Sequence, residues 1–397
     1  PALSRSAVLA LAVASAAVAA SVSAATIEVK VMQNDAAPST CTLRRAIQNA
    51  NRQQPQNIGC TEGSNGPDLI TFDIDTANVT LTLNQALPAI TQDLTIRGRD
   101  ARQTRISGGG ALRPLVVNPG VTLVLERVTL DLGEAGIDDG GALLGLAGST
   151  LILRDCRITG SAAANGGAVA VTGGTLRIER CLLDGNEAAE QGGAVWVDGS
   201  DAELVNSTVS GNVAAEGGGL AVVAGGAAAL RNATLAQNEA DDGGNLFVAG
   251  DAALDAGHTL LAQPPAGGNC SGAVASVGWN LADDASCALA GERDRNAFAA
   301  GIAALAENGG TTATHRLQSG SVAIDGGANR CRDAQGALLE TDQRGAGFPR
   351  PTNGDGQPGF QCDIGAFEVV PEPGAVAAPA AVLALAALAR RRRFRVP

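Results

Sequence analysis

Gly166-Gly167-Ala168-Val169-Ala170-Val171, Gly192-Gly193-Ala194-Val195-Trp196-Val197 and Gly217-Gly218-Gly219-Leu220-Ala221-Val222 are passes of one unit, which also opens at Gly140-Gly141-Ala142-Leu143 and at Gly243-Gly244-Asn245-Leu246. The copies follow one another every 25 or 26 residues from Gly140 to Gln263. Each doublet leads into a short alternating run, a Gly/Asp turn, a second apolar run such as Thr175 to Ile178, and a third such as Leu182-Leu183, Thr208-Val209 or Thr234-Leu235. The runs have period 2 and not 3.6, so they read as strands. One such turn cannot bury its own apolar face, and neighbours must stack on it. The repeat therefore predicts an all-β chain, a right-handed parallel β-helix with three short strands in each rung.

Stacking places equivalent residues above one another about 4.8 Å apart, so each aligned position becomes a column. Asn186, Asn212 and Asn238 form one, with Ser161 before them and Pro264 after them. It reads as a structural asparagine ladder, because Asn tolerates the left-handed turn conformation and stacked amides hydrogen-bond along the column. The glycine doublets read as bends where a Cβ would clash.

The flanks carry less regular signals. Leu43, Ala46, Ile47 and Ala50, within Thr42 to Gln53, have helical spacing and predict a cap over the first rung. Strand-like runs follow at Leu69 to Ile74, Val79 to Leu83, Leu94 to Ile96, Leu115 to Val117 and Thr122 to Leu125. At the start, Arg5, the apolar run Ala7 to Ala20 and the Val22-Ser23-Ala24 site have the three-part form of a secretory signal peptide. At the other end, Pro371-Glu372-Pro373 precedes the apolar stretch Gly374 to Ala389 and the arginines Arg390 to Arg393. That stretch reaches roughly 24 Å as a helix, and its arginines are expected to stay cytoplasmic.

The eight cysteines of an exported chain read as disulfides. Cys41 with Cys60, Cys270 with Cys287, and Cys331 with Cys362 each bracket a non-repeating segment. Cys156 and Cys181 occupy one place in adjacent rungs, either bonded or stacked in the interior. No CxxC pair or His cluster points to zinc. The formal charge is −12, and the basic residues at both ends leave the body more acidic still. That balance argues against a nucleic-acid partner.

Four resemblances accompany these readings. The tail Pro371-Glu372-Pro373, with its apolar span and arginine cluster, resembles the PEP-CTERM sorting signal of Gram-negative bacteria. This implies recognition by an exosortase, cleavage near Pro371, membrane contact before processing, and delivery to the cell surface or matrix. Cys41-Thr42-Leu43-Arg44-Arg45-Ala46-Ile47 with Asn49-Ala50-Asn51 resembles the CSLREA motif of exported bacterial β-helix proteins, with Thr42 for Ser and Arg45 for Glu. Asn308-Gly309-Gly310-Thr311, Asp342-Gln343-Arg344-Gly345 and Cys362-Asp363-Ile364-Gly365-Ala366-Phe367-Glu368 resemble the choice-of-anchor Q domain. The GGA and SGN elements are also similar to the repeats of chlamydial polymorphic outer-membrane proteins, which are adhesins. The expected organisation is a signal peptide over 1–24, a cap over 25–68, the β-helix over 69–290, the anchor-Q-like segment over 291–370 and the sorting segment over 371–397.

A polysaccharide lyase or glycoside hydrolase of the pectate lyase type is the alternative. Lyase chemistry needs a cation held by carboxylates and a basic residue, and a hydrolase needs paired carboxylates. The position before each glycine doublet gives the column Asp139, Asn165, Gln191, Glu216, Asp242, with Asp138, Glu190 and Asp241 beside it. Asp139, Glu216 and Asp242 are the calcium candidates, in what reads mainly as a hydrated acidic edge. Lys30 is the sole lysine. Arg154, Arg157, Arg177, Arg180 and Arg231 are placed away from that edge, with Arg154 and Arg180 sharing a column. His258 and His315 lie in structural stretches. Asp325, Asp342, Arg344, Asp363 and Glu368 read as an ion-pair network closing the final rungs. No residue is singled out as catalytic and no cofactor other than calcium is suggested. The expected role is structural or adhesive, with a polysaccharide or a cell-surface ligand as partner.

Overall fold

The computed structural model describes residues 24–33, 39–52, 59–74, 79–354 and 361–370. The signal-peptide segment and the Pro371-Glu372-Pro373 sorting segment lie outside the described residues, among which no helix is long and apolar enough to cross a membrane.

The described residues form a parallel β-helix built on three long sheets, with two short two-stranded sheets beside them. Sheet 1 has ten strands, from Thr26–Val29 to Ala275–Gly278, sheet 2 has ten, from Val79–Thr82 to Arg295–Asn296, and sheet 3 has seven, from Leu115–Val117 to Cys270–Ser271. The strands of each sheet pair with their counterparts in the rungs before and after, as in Thr175–Glu179 between Thr150–Arg154 and Asp201–Val205. Each strand turns alternate residues inward. Leu176 and Ile178, Leu183, and Val195 and Val197 are fully buried in the one long core.

The two glycines of each doublet serve different ends. The first has a positive φ, +66° at Gly192 and +63° at Gly217, where a Cβ crowds the following carbonyl. The second lies where the chain above passes against it, so a Cβ on Gly193 would stand 2.3 Å from the Gly218 carbonyl oxygen.

The asparagine column is a hydrogen-bonded ladder. The backbone N–H of Asn186 donates to Asn212 Oδ1 (2.9 Å) and that of Asn212 to Asn238 Oδ1 (3.0 Å), while the Asn212 amide donates to the Leu183 carbonyl (3.1 Å). The left-handed residue is the one before each asparagine, Gly185, Gly211 or Gln237. Past Asn238 the chain of amides continues through Asn245 and Asn269 to Asp283, where the aligned column had placed Pro264.

The cap helix spans Leu43–Arg52 and buries Leu43, Ala46, Ile47 and Ala50. Thr42 starts it by accepting the Arg45 N–H on Oγ1 (3.3 Å), an N-cap bond. Asn51 ties it to the rungs through the Ala89 carbonyl and the Thr91 N–H. Sheet 1 begins before this helix, because Thr26–Val29 pairs with Asp68–Phe72, so the first strand lies inside the segment expected to be only a cap.

The C-terminal segment departs furthest from expectation. It packs on the last rungs, where Arg295 donates to the Gly326 carbonyl (3.1 Å), and also folds back along the flank of the coil. Gln343 accepts the Thr208 hydroxyl hydrogen (2.6 Å), His315 Nε2 meets Ser210 Oγ (2.9 Å), and the Ala366 N–H donates to Thr234 Oγ1 (2.9 Å). A second core forms there, in which Ala236, Leu260, Ala262 and Leu281 from sheet 2 meet Ile302, Leu317, Ile364 and Phe367. Disulfides join Cys41 to Cys60, Cys270 to Cys287 and Cys331 to Cys362.

Candidate functional site

Sheet 3 exposes a stripe of outward-facing side chains. Leu144, Ala170, Trp196, Ala221 and Phe247 are in register on consecutive rungs. Ala170 and Ala221 are fully buried although they face outward, while Leu144, Trp196 and Phe247 stay half-exposed above them. The small residues lie beneath the large ones, which gives a shallow face with two aromatic rings.

Beside this stripe runs the acidic column. Backbone bridges align Gln191 with Glu216 and Glu216 with Asp242, and Asn165 pairs with Gln191. The neutral members are bonded to the charged ones: Asn165 Nδ2 donates to Asp139 Oδ1 (2.9 Å) and Gln191 Nε2 to Glu216 Oε2 (2.6 Å). Gln191 Oε1 accepts the Trp196 indole N–H (3.1 Å), which fixes the ring against the edge. Amide side chains thus separate Asp139 from Glu216. The calcium candidates Asp139, Glu216 and Asp242 are not gathered, and among the described residues no three His, Cys, Asp or Glu side chains could share a metal ion. On the far side of the stripe, burial and then the Asp139 charge push the Asp198 carboxyl above its usual range.

A different cluster sits on sheet 1 beneath residues 333–335, beside a cavity of about 390 Å³. Arg177 pairs with Glu203 and with Asp333 (3.2 Å), and reaches Glu179 at 3.8 Å. Three carboxylates around one arginine have the composition that sugar-cleaving sites use, but their oxygens are engaged. Glu203 Oε1 accepts the Ala334 N–H (2.8 Å), and Asp333 Oδ1 accepts the Gln335 and Ala337 N–H groups. The cluster docks the C-terminal segment, and a base already held by two carboxylates has no lone pair to offer.

Arg154 and Arg180 do not share a column. Arg154 aligns with Glu126 below and Glu179 above, and Arg97 aligns with Glu126, so charges alternate up this edge of sheet 1. Arg180 sits one place later, at a left-handed corner, and pairs with Asp155 (2.8 Å). The aligned strands here are 25 residues apart, so counting 26 moved the register by one. Arg157 pairs with Asp184 and Arg231 with Asp255.

Cys156 and Cys181 are free, buried thiols stacked in adjacent rungs, where the Cys156 N–H donates to Cys181 Sγ (3.3 Å) and the Cys181 N–H to Ser207 Oγ (3.1 Å). Cys181 Sγ thus accepts at the corner, while the Cys156 thiol donates to the Leu125 and Arg154 carbonyls (3.3 and 3.2 Å). Burial raises the Cys181 thiol well above its usual range.

The C-terminal carboxylates form a buried network on the flank. Arg350 pairs with Glu368 (2.8 Å), both fully buried, and Arg344 pairs with Asp342 (2.6 Å). The Arg344 guanidinium also lies between the Phe348 and Phe367 rings, 3.8 Å from each centroid. Asp363 accepts the Asp325 N–H (2.7 Å). Burial, and then Glu368, pushes the Asp363 carboxyl up to about 8. Burial also raises Glu368. His258 accepts the Ala328 N–H on Nε2 (3.0 Å), and burial followed by the Arg350 and Arg231 charges lowers it to about 4. Burial also lowers His315, whose Nδ1 meets the Ala303 carbonyl (2.8 Å). Both rings are neutral structural partners near pH 7.

Sequence reasoning missed the stripe, because it aligned the glycine, asparagine and charged positions of the rungs and not the aromatic ones. Trp196 and Phe247 stand at the same offset from their glycine doublets, and that is the signal that finds them. Comparison of the chain with family models, with curated proteins and with solved structures found no match.

Proposed function

We propose that this is an exported, surface-associated β-helix whose role is structural or adhesive, and that it recognises polysaccharide along its outer face without cleaving it. The observation that carries this reading is the sheet 3 face, where a half-exposed aromatic stripe is held by hydrogen bonds beside a polar edge and lies apart from the arginine cluster of sheet 1. Recognition spread over stacked rungs gives many weak contacts that act together. Disulfides belong to oxidising compartments, and the resemblances of the two ends support export and handling by an exosortase-like sorting system.

The test is incubation of the protein with acidic and neutral polysaccharides, with and without calcium. Retention without release of reducing or unsaturated ends is the expected result. Release of ends that disappears in Glu203→Gln or Asp333→Asn would replace this reading by a lyase or hydrolase working at the sheet 1 cavity.

A further inference from the structure

The turns that border the aromatic stripe are acidic without compensation. Glu134, Asp138 and Asp139 come from one turn and Glu190, Glu216, and Asp241 with Asp242 from three consecutive turns beyond the uncharged turn at 161–166, and the four turns at 161–166, 187–192, 213–217 and 239–243 contain no Lys or Arg. Among the described residues Arg113 reaches the edge, donating to the Gly140 and Asp139 carbonyls (both 2.8 Å) and standing 4.0 Å from Asp138. Glu190, Asp241 and Asp242 are exposed. Carboxylates repeated at the rung spacing, about 4.8 Å, create a field that concentrates cations and repels anions.

The rings add a second requirement. Trp196 and Phe247 lie two rungs apart, about 10 Å along the stripe, with Ala221 buried between them. The bond from the Trp196 indole to Gln191, itself bonded to Glu216, sets the ring beside the carboxylates. A ligand that satisfies both features has flat apolar faces repeating along an extended chain and positive charge along its margin. Indole and phenyl faces also attract cations directly.

We propose that the outward face of sheet 3 is a binding site for a cationic amino-sugar polymer, a glycan of the deacetylated glucosamine type. Its ring faces stack on Trp196 and Phe247, and its ammonium groups pair with Glu216, Asp242 and their neighbours. This rests on the adhesive reading above and names the ligand class for it. A neutral glycan meets only the rings, and a polyuronate meets a repelling edge.

The test uses the full chain and three soluble probes: a glucosamine oligomer, its fully N-acetylated counterpart and an oligogalacturonate, with affinity measured by calorimetry at low and high salt. The expected order places the glucosamine oligomer at least about tenfold ahead of the acetylated one, a difference of 1.4 kcal/mol, with no binding of the galacturonate and a marked loss at high salt. Trp196→Ala and the double variant Glu216→Gln, Asp242→Asn should each weaken binding about tenfold. The double variant changes surface groups and keeps the assay valid if Trp196→Ala fails to fold. Equal binding of the acetylated and free amino oligomers would overturn the cationic class. Tight binding untouched in every variant would overturn the site while leaving adhesion standing. Retention of no glycan of any class would remove both.

Discussion

Replacing Asn212 with alanine should destabilise the coil by about 3–5 kcal/mol. The Asn212 side chain is fully buried and accepts from the Asn186 backbone N–H and side-chain amide (both 2.9 Å) while donating to the Leu183 carbonyl and to Asn238 Oδ1. A buried hydrogen bond contributes roughly 1 kcal/mol net, and a donor left without a partner costs about 1–3 kcal/mol. In Asn212→Ala the bonds of the side chain are lost together, and the Asn186 N–H is left facing a methyl-sized gap. Asn212→Asp should be worse, because a carboxylate would face the Leu183 and Asn238 oxygens with no proton to offer. Asn165→Ala is the control. Asn165 donates to Asp139 and accepts the Gln191 N–H (3.0 Å) in the half-buried edge column, where water replaces both partners, and the change should stay within about 1 kcal/mol. The measurement is urea unfolding followed by peptide-resolved hydrogen exchange, since a stacked array can open in parts. Equal, small losses in Asn212→Ala and Asn165→Ala would refute the ladder as a source of stability.

Gly193→Ala should abolish folding or lower stability by more than about 3 kcal/mol, since its Cβ meets two carbonyl oxygens within 2.5 Å. Gly211→Ala, at φ +65° with open space around it, should lose only about 1–2 kcal/mol, as circular-dichroism melts of the two will show. Asp363 binds its proton more tightly in the folded chain, so its contribution is complete below the ordinary value near 3.8 and fades as pH rises through about 8. His258 has the opposite sign, contributing above 6.5 and losing that contribution as pH falls through about 4. Between about pH 6.5 and 8 only the Asp363 contribution changes of the two, so the melting temperature should fall across that window, and Asp363→Asn should flatten it. Cys156 and Cys181 should resist thiol reagents in the folded protein and react once it unfolds; a mass showing all eight cysteines oxidised would contradict the stacked-thiol arrangement.

The rungs were legible because a stacked coil repeats its constraints at a fixed period. Doublets, asparagine ladder and apolar strands each recur on the column that needs them. The glycine and asparagine roles were less legible in detail: the ladder asparagines do not take the left-handed turn, which falls to Gly185, Gly211 and Gln237. The reach of the C-terminal segment back along the coil was not legible, since contacts such as Thr208 with Gln343 cross 135 residues and have no period. Yet the body does carry their imprint. The outward positions of sheet 2 change from Arg157, Thr159 and Asp184 to Ala236, Leu260 and Ala262, which is the change expected where a surface strand becomes covered. The arginine columns were misread through a single 25-residue interval, a reminder that register decides which charges meet.

The most direct test of recognition along the rungs is hydrogen exchange of the full chain with and without a saturating glucosamine oligomer. Slowed exchange on the outer edge of sheet 3 over at least the three rungs from Trp196 to Phe247 is the predicted result. Protection confined to Thr175–Glu203 and the loop at 333–335 would contradict it and place the working site in the sheet 1 cavity.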